Sequence, residues 1–342
     1  MRPQRIQSRA ILMMEKRERL EKTIAGDLTD RVPIALWQHW AGDDQRAADL
    51  ARSHVNFMEQ YDWDFLVVTP SQHFMVVDYG LQDQWQGAST GKRTIIKTPV
   101  QRSLHWTDLR PIDPNRGQFG KQIQCLQLIR DALPATPIIQ VIHSPLTQAL
   151  FLGGKDLLFR SMRTQPDRLR TGLNSLTETT LRFIETLRRN TQIDGILYQT
   201  ELASYTVLSE AEYQAFGLPY DTKILDNLSP DWWLNSVQVI GRAPMLHLFA
   251  PLPIQILNWS DVEARPSLNR IQLDFNGAFW GGLGAETHIH LGTPTMIREA
   301  AREAMNTMGR RRFILGAGDA MPMTSPHSNL RSAREVVNVT LR

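Results

Sequence analysis

Residues 311–319 read RRFILGAGD: an apolar run, Phe313–Leu315, then the small turn Gly316-Ala317-Gly318, then an acid, Asp319. β-prone residues that give way to small ones and an acid predict a buried strand whose carboxyl end meets a pocket. Seven more runs of this kind precede it: VPIALWQHW (32–40), WDFLVVTP (63–70), TPIIQVIH (136–143), IDGILYQT (193–200), SVQVIG (236–241), IQILNWS (254–260) and LDFNGAFWGG (273–282). Between them lie helical patterns. Residues 45–61 and 166–190 are clear candidates, the second opened by Pro166 and rich in leucine at three- and four-residue spacing. Residues 209–229 open on a capping box, Ser209 to Glu212. The segments 292–305 and 325–337 each place a Ser or Thr ahead of a proline, which marks a helix start.

Strands buried on both faces and alternating with helices form a parallel sheet, because parallel neighbours need a crossover between them. Eight such units in 342 residues predict α/β architecture as a single closed (β/α)8 TIM barrel over residues 14–342. An open doubly wound sheet is the competing topology. It would place a Gly-rich phosphate turn after the first strand, and none is there. Residues 1–13 read as a flexible extension. The segment 74–114, with TIIKTPVQRSLHWTD, breaks the rhythm and reads as a hairpin inserted after the second strand, near the barrel mouth.

Composition narrows the function. A net charge of +3, with the arginines spread along the chain, argues against nucleic-acid binding. The single cysteine, Cys125, excludes a disulfide framework or a Cys-based zinc cluster within one chain and fits a cytoplasmic protein. It sits on a helical pattern with Leu126 and Leu128 and reads as inert core. No apolar run reaches the ~18 residues of a membrane span. Nothing in the composition implies a cofactor.

In a barrel of this type the site lies at the carboxyl ends of the strands. Those ends supply Gln38, His39 and Trp40; Ser71, Gln72 and His73; His143; Thr200 and Glu201; Gln238; Asn258, Ser260 and Asp261; and Asp319. Three of the nine histidines fall among them. Each has a bland alternative: a hydrogen-bonded strand-end histidine, or a helix cap for Asp261. The pair His288 and His290 in HIHLG lacks a third ligand and reads as the approach to a helix cap.

Four stretches, MEKRERLEKTIAGDLTDRVPIALW, LSEAEYQAFGLPYD, GTPTMIREAAREAM and FILGAGDAMPMTSPHSNLRSAREVV, resemble the uroporphyrinogen decarboxylase superfamily, which includes corrinoid-linked methyltransferases. The resemblance covers residues 14–340. It implies a barrel, a homodimer and a carboxy-lyase acting on a tetrapyrrole or related carboxylated substrate. The alternatives it implies are a methyltransferase acting with a corrinoid protein and a non-catalytic binder of a small molecule.

The family's pattern of two arginines, an aspartate, a tyrosine, a serine and a histidine falls here on Gln38, a position near Gly42 or Asp43, Ser71, Phe151, Thr200 and Ala317. An alternative register would put the aspartate at Asp64, at the other end of its strand. The methyltransferases' zinc positions fall on Gln238, Ile240 and Ala317, so no metal is implied. The resemblance thus predicts a remodelled site and a substrate other than uroporphyrinogen. The expected roles are His39 as proton donor and Asp261 or Asp319 as charge stabiliser. Ser71, Thr200 and Gln238 orient substrate, with Gln38, His73, His143, Phe151 and Glu201 lining the pocket.

Overall fold

A computed structural model of the chain describes residues 13–338. The extension expected at residues 1–13 lies outside the described residues except for Met13, which is exposed. Eight parallel strands form one sheet: β1 (Ile34–Ala35), β2 (Leu66–Val68), β3 (Ile138–His143), β4 (Gly195–Thr200), β5 (Ser236–Val239), β6 (Ile256–Asn258), β7 (Ala278–Leu283) and β8 (Phe313–Ala317). Their spatial order is β1-β8-β7-β6-β5-β4-β3-β2, so the two ends of the sheet are the first two strands in sequence. That is a (β/α)8 barrel with one seam.

The seam is closed without a ladder. At its lower end the Asp64 amide donates to Ile34 O at 2.9 Å, and the Asp64 carboxylate accepts from the Ile34 amide at 2.7 Å. At its upper end the Thr69 hydroxyl donates to Gln38 O. Asp64 has no exposed surface. It is bound by Arg19 at 2.7 Å and by both Arg31 amino groups at 2.7 and 3.0 Å, while Arg19 also grips Asp30. A buried carboxylate is tolerated only when paired in this way. Asp64 therefore stands at the amino end of β2, as the strand's direction predicted, and its work there is structural.

The helices follow local signals. Pro166 begins Pro166–Asn190, Thr293 caps Pro294–Met308, and the capping box Ser209/Glu212 is formed. The pattern at 209–229 divides into Glu210–Phe216 and Leu218–Leu225. A Cβ at Gly217 would lie 2.6 Å from the Tyr213 ring, and Pro219 cannot continue the first helix's hydrogen bonds. Cys125 lies in the helix Gly117–Ala132, fully buried, with its thiol pushed up to about 12 by burial. Between β2 and β3, residues Gln82–Trp85 and Arg93–Lys97 pair antiparallel. No helix among the described residues is long and apolar enough to cross a membrane.

Candidate active site at the barrel mouth

Alternation along each strand decides what reaches the barrel axis. The lower interior is aromatic: the Trp37 and Trp280 rings are 4.4 Å apart and Phe65 meets Trp280 at 4.9 Å. The residue of β8 that faces them is Gly316, where a Cβ would fall 2.0 Å from Trp280 Nε1. Ala317, next to it, is fully buried.

Above the aromatics lies a polar belt. Gln199 donates to Gln238 Oε1 at 2.6 Å, and Gln238 donates to Gly318 O at 2.7 Å on the far side. Asn258 donates to Trp280 O and Ala317 O at 2.8 and 2.9 Å. Both polar ends of Gln238 are thus engaged by the protein, and the belt forms the floor of the mouth. Gln199 escaped the sequence reading, which took its neighbour Thr200. Parity separates the two. Thr200 faces the helical layer, bonded to Tyr213 at 2.9 Å; Tyr213 and Tyr198 both donate to the buried Asp221.

The rim carries the titratable groups. The Pro70 backbone beside His39 favours the ring's charged form. Burial, helped by the Lys92 charge, lowers its pKa to about 4, so it is neutral at pH 7. Glu201 follows β4, its amide held by the Thr147 hydroxyl at 3.1 Å. Burial raises its carboxyl above the usual range; Lys92 opposes that shift and Asp319 adds to it. Asp319 follows β8 and accepts its neighbour's amide, Ala320, at 2.8 Å. Burial raises it too, with Lys92 again opposing.

One wall is built from His73, His143 and Phe151. The Phe151 ring lies edge-on to His73 at 4.7 Å and to His143 at 5.5 Å. His143 bonds Gln72 O at 2.9 Å, and burial beside His73 lowers its pKa to about 3. Its other nitrogen, Nδ1, is buried without a partner. Ser71 is buried at the turn after β2, where its carbonyl accepts the Phe74 amide.

Three expected residues are placed elsewhere, Thr200 among them. Gln38 alternates away from His39 into a cavity shared with Phe57, Tyr61 and His327. Asp261 accepts the Gly282 amide at 3.0 Å and opens onto a side cavity with Arg265, His288 and Glu303. Its carboxyl is raised by burial to about 7. His288 accepts the Gly284 amide there, so the local backbone occupies one nitrogen of the His288 and His290 pair.

The antiparallel hairpin covers the mouth. His73 Nδ1 meets Asp83 Oδ2 at 2.6 Å. Arg93 bonds Asp83 at 3.0 Å, pairs with the buried Asp44 at 3.3 Å, and donates its amide to Gln72 Oε1 at 2.9 Å. The connecting turn reaches over to the loop after β8, where Met323 N donates to Ser89 O at 2.7 Å. A Cβ at Gly91 would lie 2.5 Å from His39 Cβ, and Gly91 has φ +72°, so the turn can sit this close only with glycine there. Lys92 at the hairpin tip was also missed from sequence, because nothing local marks it as facing strand ends far away in the chain.

Zinc as used by corrinoid-linked methyltransferases does not fit. Of the three equivalent positions, Ile240 and Ala317 offer no donor, and Gln238 is committed at both ends. Among the described residues no group of three or more His, Cys, Asp or Glu is arranged to hold a metal ion.

Known proteins share the barrel beneath this altered mouth. A methyltransferase from Methanosarcina mazei superposes with a TM-score of 0.83 at 16% identity, covering 94% of this chain and 98% of its own. A B12-independent methionine synthase from Shewanella sp. W3-18-1 gives 0.50 at 13% identity, covering 91% and 93%. These two likenesses concern fold alone. In sequence, a uroporphyrinogen decarboxylase of Synechococcus sp. (strain JA-3-3Ab) is 25% identical over 266 residues, 71% of this chain and 67% of that protein. The sequence model described as Uroporphyrinogen decarboxylase (URO-D) matches residues 15–339, from the first helix past the last strand and its helix. A match of that extent includes every strand that builds the mouth, and by it the chain belongs to the uroporphyrinogen decarboxylase family.

Proposed function

We propose that the protein is a carboxy-lyase that replaces a carboxylate of a small molecule with a proton and releases CO2. The observation that carries this reading is the pair of raised carboxyls, Glu201 and Asp319, at the barrel mouth beside a cation. A carboxyl that holds its proton above the ordinary carboxylate range is better placed to act as a general acid. In the proposed step Glu201 delivers its proton to the ring carbon that bears the carboxylate, and the positive charge spreads over the substrate's π-system, where ionised Asp319 stabilises it. The bond between that carbon and the carboxylate then breaks, its electron pair returns to the π-system, and CO2 departs with the proton left on carbon. Glu201 regains a proton from water. His39 is neutral at the working pH and acts as an acceptor that orients the substrate, so the donor role assigned to it from sequence passes to Glu201. The polar belt beneath supplies a floor of side-chain amides already bonded to one another and to the β7 and β8 backbone.

The test is incubation in D2O with carboxyl-labelled pyrrole and benzene carboxylic acids and with uroporphyrinogen. CO2 release matched by one deuterium at the former carboxyl carbon is expected, with both lost in Glu201→Gln. Methyl transfer with a corrinoid protein, and no CO2 from any acid, would replace this reading.

A further inference from the structure

Carboxylate recognition in this family pattern rests on arginines, and both positions are altered here: Gln38 faces away from the mouth, and neither Gly42 nor Asp43 is a cation. A carboxy-lyase without a cation for the scissile carboxylate would have to desolvate that anion unpaired. The hairpin supplies the missing charge. Gly91 packs on His39 and Arg93 N is anchored on Gln72. Lys92 sits between two fixed neighbours, each about 3.8 Å away along the chain.

Arg93 is committed to Asp83 and Asp44. Among the described residues no carboxylate lies within 4.0 Å of Lys92 Nζ. Its charge nevertheless acts on His39, Glu201 and Asp319, which come from three different strand ends.

We propose that Lys92, carried on the hairpin over the mouth, binds the substrate's carboxylate, and that the substrate bears one such group and not many. This inference takes the mouth as the site, as the decarboxylase reading does. The charge balance sets the substrate class. One ammonium faces two carboxyls, so a single anionic group is matched, while further carboxylates on the same ligand would meet Glu201 and Asp319. An octacarboxylate tetrapyrrole is disfavoured on that ground. A lysine suits a compact point contact better than the planar fork an arginine offers.

The experiment is equilibrium binding, without turnover, of two aromatic monocarboxylates, pyrrole-2-carboxylate and benzoate, and of the octacarboxylate uroporphyrin. Wild type, Lys92→Ala and Lys92→Arg are compared at low and high salt. Saturable binding of at least one monocarboxylate is expected. It should weaken about 10- to 100-fold in Lys92→Ala, the size of one charged hydrogen bond, and recover in Lys92→Arg. Added salt should weaken binding to wild type and leave Lys92→Ala nearly unmoved.

Near-ultraviolet circular dichroism of each variant confirms that the exposed substitution leaves the fold intact. Equal binding by wild type and Lys92→Ala overturns the inference, as does absence of saturable binding to wild type or tighter binding of uroporphyrin. If Lys92-dependent binding holds while no CO2 is released, the decarboxylase reading fails and the carboxylate site stands. If CO2 is released with Lys92 indifferent, the reverse is true.

Discussion

Replacing Asp64 with asparagine separates two accounts of this chain. If Asp64 were the substrate-facing aspartate of the family pattern, Asp64→Asn would abolish ligand binding at little cost in stability. The structure places it at the opposite end of β2, where it accepts from Arg19, twice from Arg31 and from the Ile34 amide. Arg19 keeps Asp30 after the change, but Arg31 loses the carboxylate partner that Asp64 provides. Removing one member of a buried ion pair costs about 3–5 kcal/mol, because the stranded charge stays desolvated. Unfolding entropy of about 2.1 cal/mol/K per residue amounts to roughly 0.7 kcal/mol/K for this chain, so Tm should fall by about 4–7 °C. Differential scanning calorimetry at pH 7 measures it. Ligand binding, assayed well below the transition, should be unchanged. A fall of less than about 1 °C together with lost binding would refute the reasoning.

Other outcomes follow from the rim and its surroundings. Glu201→Gln should lower kcat by about 100-fold or more with KM within a few-fold, as loss of a general acid does. Because the Glu201 carboxyl is raised, activity that needs its proton should persist above the ordinary carboxylate range and then decline as pH rises through the raised value. A kcat-versus-pH profile with no such declining limb would oppose the assignment. The buried Asp221 titrates at about 7 against an ordinary 3.8. The folded state therefore holds this proton more tightly than the unfolded one, and its contribution to stability falls as pH rises from about 4 to about 7. Denaturant titrations across that window should show a shallower slope in Asp221→Asn. Gly91→Ala should push the hairpin off His39 and speed proteolysis within residues 82–97, with Tm little changed.

The barrel was legible because its strands are apolar on both faces and end on small or polar residues; RRFILGAGD contains β8, Phe313–Ala317, which runs two residues into the small turn read after Leu315. Boundaries blurred where sequence and backbone disagree. The run 32–40 contains only Ile34–Ala35 as ladder, since its later residues leave the sheet to approach Thr69 and Met321. Helices outside the expected set, such as Pro145–Thr164, were obscured by the glycine pair Gly153-Gly154 within them.

The rim was legible by position, and His39, His73, His143, Glu201 and Asp319 all stand where strand ends place them. Position does not give orientation. A one-residue step turns a side chain from the axis to the helices, which is why Gln38 and Thr200 face outward and Gln199 faces in. Lys92 could not be found by any strand-end rule, because it belongs to the antiparallel pair between β2 and β3.

The seam between β1 and β2 gives that hairpin a mechanical role. The strand ends on either side lead into His39 and Gln72, and the hairpin touches both, while its turn also holds the loop after β8 through Ser89. Lifting the cover frees the segments that pin the unladdered joint from above, while the Asp64 cluster still clamps it from below. Loosening of the hairpin is thus expected to loosen the joint at that end alone, and faster amide exchange along the upper seam in Gly91→Ala would register it.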